Sequence, residues 1–151
     1  MKRKSIVAAA FPLIMILFLS YYEKPTDEKI IYFSSGVSNT TLLVKIADTE
    51  ESRNKGLMFV EKLGRNEGML FVFSDERQRA FWMKDTLVHL DMIFVASNGT
   101  VVGVVENAEP CRQELCRTYS VNALSQYVVE VNAGFARKNN ISPGSVAVSN
   151  L

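Results

Sequence analysis

The 151-residue chain has one histidine, one tryptophan and two cysteines. A single histidine, His89, excludes histidine-rich metal chemistry, and a structural zinc site wants four Cys or His ligands at tight spacings such as C-x2-C. The sequence also lacks a Walker-type phosphate loop, a GxGxxG fingerprint, an HExxH helix and a GxSxG nucleophile elbow. No cofactor and no metal is expected. Positive charge is scarce too. Once Lys2, Arg3 and Lys4 are set aside, 14 Lys+Arg face 16 Asp+Glu, a net charge of −2. Nucleic-acid binding wants clustered positive charge, so no nucleic-acid partner is expected. An extended polybasic lipid-binding surface is equally unsupported. Internal repeats and low-complexity tracts are absent.

What is present begins with an export pattern. Lys2, Arg3 and Lys4 precede an apolar run of 14 residues, 6–19, which is the basic-then-apolar order of a signal. The run falls short of the ~20 apolar residues of a membrane span, and no small-x-small cleavage site follows Leu19. Residues 1–22 are therefore expected to be either a cleaved signal peptide or an N-terminal membrane anchor. Either places the remainder outside the cytoplasm, because the basic end stays inside. Residues 23–40, with Pro25, Gly36 and several serines, read as a polar tether. Residues 41–151 are long enough for one domain with one core. N-x-S/T sequons at Asn39, Asn98 and Asn140 are compatible with glycosylation of an exported chain.

The domain reads as mainly β. Residues 41–47 are rich in β-branched side chains and predict a strand. Asp48 and Glu51 resemble a capping box, opening a short helix over 49–58 whose end Gly56 weakens. Further strands are expected at 69–73, 80–84, 90–96, 100–106, 126–132 and 145–148. A polar loop is expected at 74–78, and one or two helical turns at 134–140. Asn98-Gly99 predicts a type I′ hairpin turn. The run 90–96 is apolar on both faces and so predicts a central strand covered on both sides. These elements point to a small β-sandwich or partly closed β-barrel of about seven short strands with one or two short edge helices. Cys111 and Cys116 fall in a loop expected over 107–120. They fit an oxidising compartment, and as a disulfide would contribute ~2 kcal/mol. A redox-active pair and metal ligation are the alternatives.

Polar residues inside strand-like sequence are the candidates for chemistry. If the chain is extended there, residues 85, 87, 89 and 91 share one face. That would set Asp85 and Asp91 around His89, for acid–base work or a divalent cation. Alternatively Asp85-Thr86 only staples a turn through its own backbone. Glu130 and Asn132 interrupt an apolar strand on the face of Val128, while Tyr127, Val129 and Val131 take the other. They either line a pocket, with Arg53 as a candidate partner, or face solvent from an edge strand. Trp82, Phe71, Phe73, Phe81, Phe94 and Tyr127 offer a sugar platform or, more simply, core packing. Met58, Met69, Met83 and Met92 read as core filling rather than a copper site.

Several motifs occur together in order: Arg53-x-x-Gly56-Leu57-Met58, Gly68-Met69-Leu70-Phe71-x-Phe73, Phe81-Trp82-Met83-Lys84-Asp85-Thr86-Leu87, Leu90-Asp91-Met92-Ile93-Phe94 and Glu130-Val131-Asn132-Ala133-Gly134. Over residues ~40–148 the chain resembles the domain of unknown function 192 family of bacterial and archaeal proteins. The resemblance implies a small, mainly β fold and no activity. The family pattern usually reads F-W-M-K/R-N-T-x-I-P-L-D. Here Asp85 stands at the usual Asn position and His89 at the usual Pro position, so a shared mechanism could not rest on His89. The recurrent polar positions are Arg53, Trp82, Lys84, Asp85, Thr86, Asp91, Glu130 and Asn132, and they are the expected ligand-binding site if they converge.

Two functions compete at this point. One is an extracytoplasmic small-ligand-binding or envelope-associated module, partnered by an unknown small molecule or envelope component, and by the membrane if the N-terminal segment is uncleaved. The other is a small hydrolase or lyase acting on an envelope carbohydrate through paired carboxylates among Asp85, Asp91 and Glu130.

Overall fold

Alternation of apolar and polar side chains sets the architecture. In the computed structural model, which describes residues 28–149, the elements are β1 (Glu28–Ser34), β2 (Asn39–Ala47), α1 (Glu50–Lys55), β3 (Glu67–Arg77), β4 (Ala80–Trp82), β5 (Leu90–Val95), β6 (Val101–Ala108), β7 (Thr118–Ser120), β8 (Ser125–Asn132), α2 (Phe135–Lys138) and β9 (Val146–Ser149). The signal or anchor expected at residues 1–22 lies outside the described residues. Among the described residues no helix is long and apolar enough to cross a membrane.

Seven strands form one sheet in the order β6-β5-β8-β3-β2-β1-β9, and β4 and β7 form a second. Within the large sheet β2 and β3 run parallel, joined through α1, and the other pairs are antiparallel. The sheet curls until its ends meet. Val146 of β9 bridges Thr100 beside β6, and the amides of Val101 and Ala147 donate to the carbonyls of Ser145 and Gly99. The result is the partly closed barrel expected as one of the two architectures.

Each face of the sheet has its own core. The concave side packs Ile31, Phe33, Leu42, Val44, Leu70, Ile93, Val129 and Val131, with Phe135 and Ala136 of α2 as a plug. The convex side packs Phe71, Leu90, Met92, Phe94, Ala108 and Val128 under Leu57, Met83 and Phe81. Phe81 meets Phe71 edge-on at 5.0 Å between centroids and Phe94 at 6.1 Å, the geometry aromatic quadrupoles favour. All six residues of β5 are buried, as its two-sided apolar pattern requires.

Several expectations need correction. Residues 28–34, read as tether, are β1: Ile31 and Phe33 point inward, and the short IIYF alternation pairs with both β2 and β9. Residues 74–77, read as loop, continue β3, where Asp75 binds Arg77 and Arg79. The expected loop at 107–120 contains the end of β6 and all of β7. Helix α1 is capped one residue later than expected, by Thr49 with Ser52 completing the capping box: the Thr49 hydroxyl accepts from Ser52 N at 3.1 Å and the Ser52 hydroxyl from Thr49 N at 3.0 Å. The hairpin at Asn98-Gly99 exists, but only Gly99 has a positive φ, +84°. Gly99 N donates to Ala96 O, so the turn over 96–99 ends in a left-handed glycine and is not type I′. Cys111 and Cys116 are joined in a disulfide.

Candidate functional site

The segment after β4 does not extend. Asp85 has φ +52°, and Thr86 N donates to Met83 O at 3.1 Å, so residues 83–86 turn. A positive φ at the third turn position suits Asn, Asp or Gly. This explains why Asp can stand where the family pattern has Asn. The turn is pinned on both sides. Asp85 N donates to Cys111 O at 2.8 Å, Cys111 N donates to Met83 O at 3.1 Å, and Phe59 N donates to Asp85 O at 2.8 Å. The disulfide loop thus backs the Lys84 segment, and Lys84 Nζ donates to Gln113 O at 2.8 Å. Residues 85, 87, 89 and 91 consequently do not share a strand face, and the Asp85–His89–Asp91 group is not built. His89 is exposed, and its Nδ1 lies 3.1 Å from Asn107 Oδ1.

Two carboxylates occupy the middle of the large sheet. Met92 pairs with Glu130 and Asp91 with Val131, so Asp91 and Glu130 point to opposite faces. Asp91 is fully buried. Its Oδ1 accepts from Asn107 N at 2.9 Å and its Oδ2 from Ala136 N at 3.0 Å. It ties α2 and the end of β6 to the sheet. Asn132 also acts as a tie: its amide donates to the carbonyls of Leu63 and Gly64 at 3.1 and 2.8 Å.

Glu130 is different. It is 4% exposed, on a strand flanked by β5 and β3 rather than at an edge. No described residue gives its carboxyl a hydrogen bond or an ion pair, and burial pushes its pKa up from 4.5 to about 8. Burial disfavours the charged form, so at neutral pH Glu130 is largely a neutral acid, able to donate and to accept. Arg53, the expected partner, does not pair with it. Its guanidinium donates to the carbonyls of Asp48 and Val72 and lies 5.2 Å from the Phe73 ring centroid.

Glu130 opens onto a small cavity of about 30 Å³, enough for roughly one water-sized group. Arg53, Trp82, Lys84 and Thr86 line it with Glu130, alongside Lys55 and Phe81. Five of the eight expected site residues therefore converge, and Asp85, Asp91 and Asn132 do not line this cavity. Trp82 is 52% exposed, at the rim rather than in the core. Thr86 Oγ1 donates only at 3.4 Å, to Lys84 O. Lys55 and Asn54 also line the cavity and were not among the expected residues. They sit inside the Arg53-x-x-Gly56 motif, on the last turn of α1, and their position there was the available signal. Gly56, with φ +47°, ends α1 where a Cβ would press on Phe71 at 3.3 Å.

A larger cavity of about 300 Å³ lies at the barrel mouth, between Ile31, Val95, Tyr127 and Ala147. It is mostly apolar and holds no carboxylate or cation. Five of the eight expected residues line the small convex-side cavity instead, and Asn132 lines a separate one of about 600 Å³ with Arg65 and Lys138. Among the described residues no three His, Cys, Asp or Glu side chains gather as metal ligands.

The family model of domain of unknown function 192, described as "Uncharacterized ACR", matches residues 32–148. The chain belongs to that family. It is similar to the crystal structure of a candidate transcription regulator from Sinorhizobium meliloti 1021, with 31% identity, TM-score 0.78, and coverage of 84% of this chain and 97% of that one. It is also similar to a protein of unknown function from Novosphingobium aromaticivorans DSM 12444, with 28% identity, TM-score 0.73, and coverage of 79% and 83%. No curated protein matches the chain.

Proposed function

We propose that this chain is a small-ligand-binding module working outside the cytoplasm, with the Glu130 cavity as its binding site. The observation that carries the reading is Glu130 itself, a residue 4% exposed whose carboxyl has no protein partner and lines a cavity. An unpartnered buried polar group costs about 1–3 kcal/mol. Destabilising, pKa-shifted groups of this kind concentrate at functional sites. The basic-then-apolar start of the sequence and the Cys111–Cys116 disulfide both support an oxidising location.

The alternative, a paired-carboxylate hydrolase, finds no such pair here: of Asp85, Asp91 and Glu130, only Glu130 lines the cavity. The regulator description of the Sinorhizobium neighbour is not carried over. The described helices are six and four residues long, too short for a groove-reading helix.

A thermal-shift screen of the full-length protein against envelope sugars and small metabolites tests the reading. A ligand at 100 times its Kd stabilises by ~2.7 kcal/mol, a shift of several degrees in a domain this size. A hit that disappears in Glu130→Leu supports the site. Hits that persist undiminished in that variant place binding elsewhere and contradict it.

A further inference from the structure

We propose that the ligand of the Glu130 cavity presents a small oxyanion, a carboxylate or a phosphate group, with one oxygen seated against Glu130 and its charge met by Arg53, Lys55 and Lys84. This rests on the reading of the cavity as a ligand site and names the chemistry it selects.

Three observations lead there. The first is size: a cavity of about 30 Å³ takes roughly one water-sized group, so it fits a single ligand oxygen and excludes a ring. The second is charge. Arg53, Lys55 and Lys84 all line the cavity, and its single acidic side chain is Glu130. No carboxylate pairs with Arg53 or Lys55 among the described residues. Lys84 has Asp85 Oδ1 only at 4.0 Å, and the Gln113 carbonyl that its Nζ meets at 2.8 Å leaves its charge uncompensated. The third is donor supply. Arg53 is held by backbone carbonyls that leave its charge uncompensated, and the Thr86 hydroxyl makes only a long bond within its own turn. A protonated Glu130 adds an O–H donor to the same cavity. Charged acceptors gain most from such donors. A cationic ligand would meet three like charges at the rim, and its counter-charge could come only from a carboxyl that burial keeps protonated.

The charged groups around Glu130 are these three cations, from α1 and from the turn after β4. The neighbouring strands offer Met69, Phe71 and Met92 on the same face. Binding should therefore weaken once Glu130 ionises, since a carboxylate would repel the incoming oxyanion.

Trp82 is the single tryptophan of the chain and lines the cavity, so its fluorescence reports on occupancy. Full-length protein is titrated with acetate, inorganic phosphate, acetamide and methylammonium. Acetate, phosphate or both should saturate the Trp82 response at pH 6, and the two together tell a carboxylate site from a phosphate site. Acetate affinity should fall about tenfold at pH 9, following the loss of the Glu130 proton. Glu130→Gln, whose amide still donates, should lose that difference between the two pH values. Lys84→Met and Lys55→Met should each weaken acetate several-fold. Saturation by acetamide or methylammonium without the anions would overturn the oxyanion assignment and leave the site reading standing. Silence from all four probes, alongside a Glu130-dependent hit in the thermal-shift screen, would do the same. Silence in both assays would overturn the site reading and the assignment together.

Discussion

Asp91 and Glu130 sit on adjacent strands one register step apart, yet they carry opposite burdens. Asp91 faces the α2 side and has two backbone amides for its two oxygens. Glu130 faces the α1 side with no protein donor and a small cavity before it. Both are buried acids in a strand core, and sequence pattern alone treats them alike. The contrast shows that burial alone does not tell a tied carboxylate from an unpartnered one. What the surrounding backbone offers it does. Where the chain turns toward the carboxylate, as at Asn107 and at the start of α2, the acid becomes a structural tie. Where only side chains of Met and Phe and a cationic rim surround it, the acid is left without a protein donor.

The largest effect expected from breaking this contrast is at Asp91. Asp91→Ala strands the buried amide of Ala136 and the part-buried amide of Asn107 and should destabilise by about 3 kcal/mol, read by chemical denaturation. An effect below about 1 kcal/mol would remove its role as a tie. The next is a pH effect from Glu130. Its folded pKa of about 8 lies above the ordinary 4.5, so the native state binds more protons between those values. Stability should fall as pH rises through that window and level off above it, by a few kcal/mol at ~1.36 kcal/mol per unit. Glu130→Gln should flatten the slope, and an unchanged slope in that variant would assign it to another group. Third, Glu130→Met should stabilise the domain by about 1–3 kcal/mol, the opposite sign to Asp91→Ala, by removing an unpartnered polar group from an apolar face. A loss of stability there would mean that the carboxyl has a partner. The smallest effect sharpens the comparison with a third carboxylate. Asp85 is set by its backbone, so Asp85→Asn should stay within ~0.5 kcal/mol, whereas Asp85→Ala should cost about 1 kcal/mol in the left-handed region. Equal effects of the two would show that φ is not what selects the residue.

The sequence makes some of this legible and hides the rest for physical reasons. The two-sided apolar run of β5, the hairpin after it and the disulfide follow from period, turn residues and compartment. Strand β1 is hidden because Ile30, Ile31, Tyr32 and Phe33 are too few to outweigh the flanking serines and glycine. Only pairing with β2 and β9 makes them a strand. Convergence of Arg53, Trp82, Lys84, Thr86 and Glu130 depends on the β2–α1–β3 crossover laying α1 over the convex face, which no local pattern encodes. The separation of Asp91 from Glu130 depends on inter-strand register. A one-residue difference puts a side chain on the other face.

Glu130 differs from every tied carboxylate here in being an unpartnered acid beside a cavity. The most direct test is a ¹³C NMR titration of the Glu130 side-chain carboxyl in the full-length protein, assigned by comparison with Glu130→Gln. The account predicts a midpoint near pH 8. A midpoint near the ordinary glutamate value of 4.5 would mean the carboxylate is solvated or paired in the fold, and would contradict it.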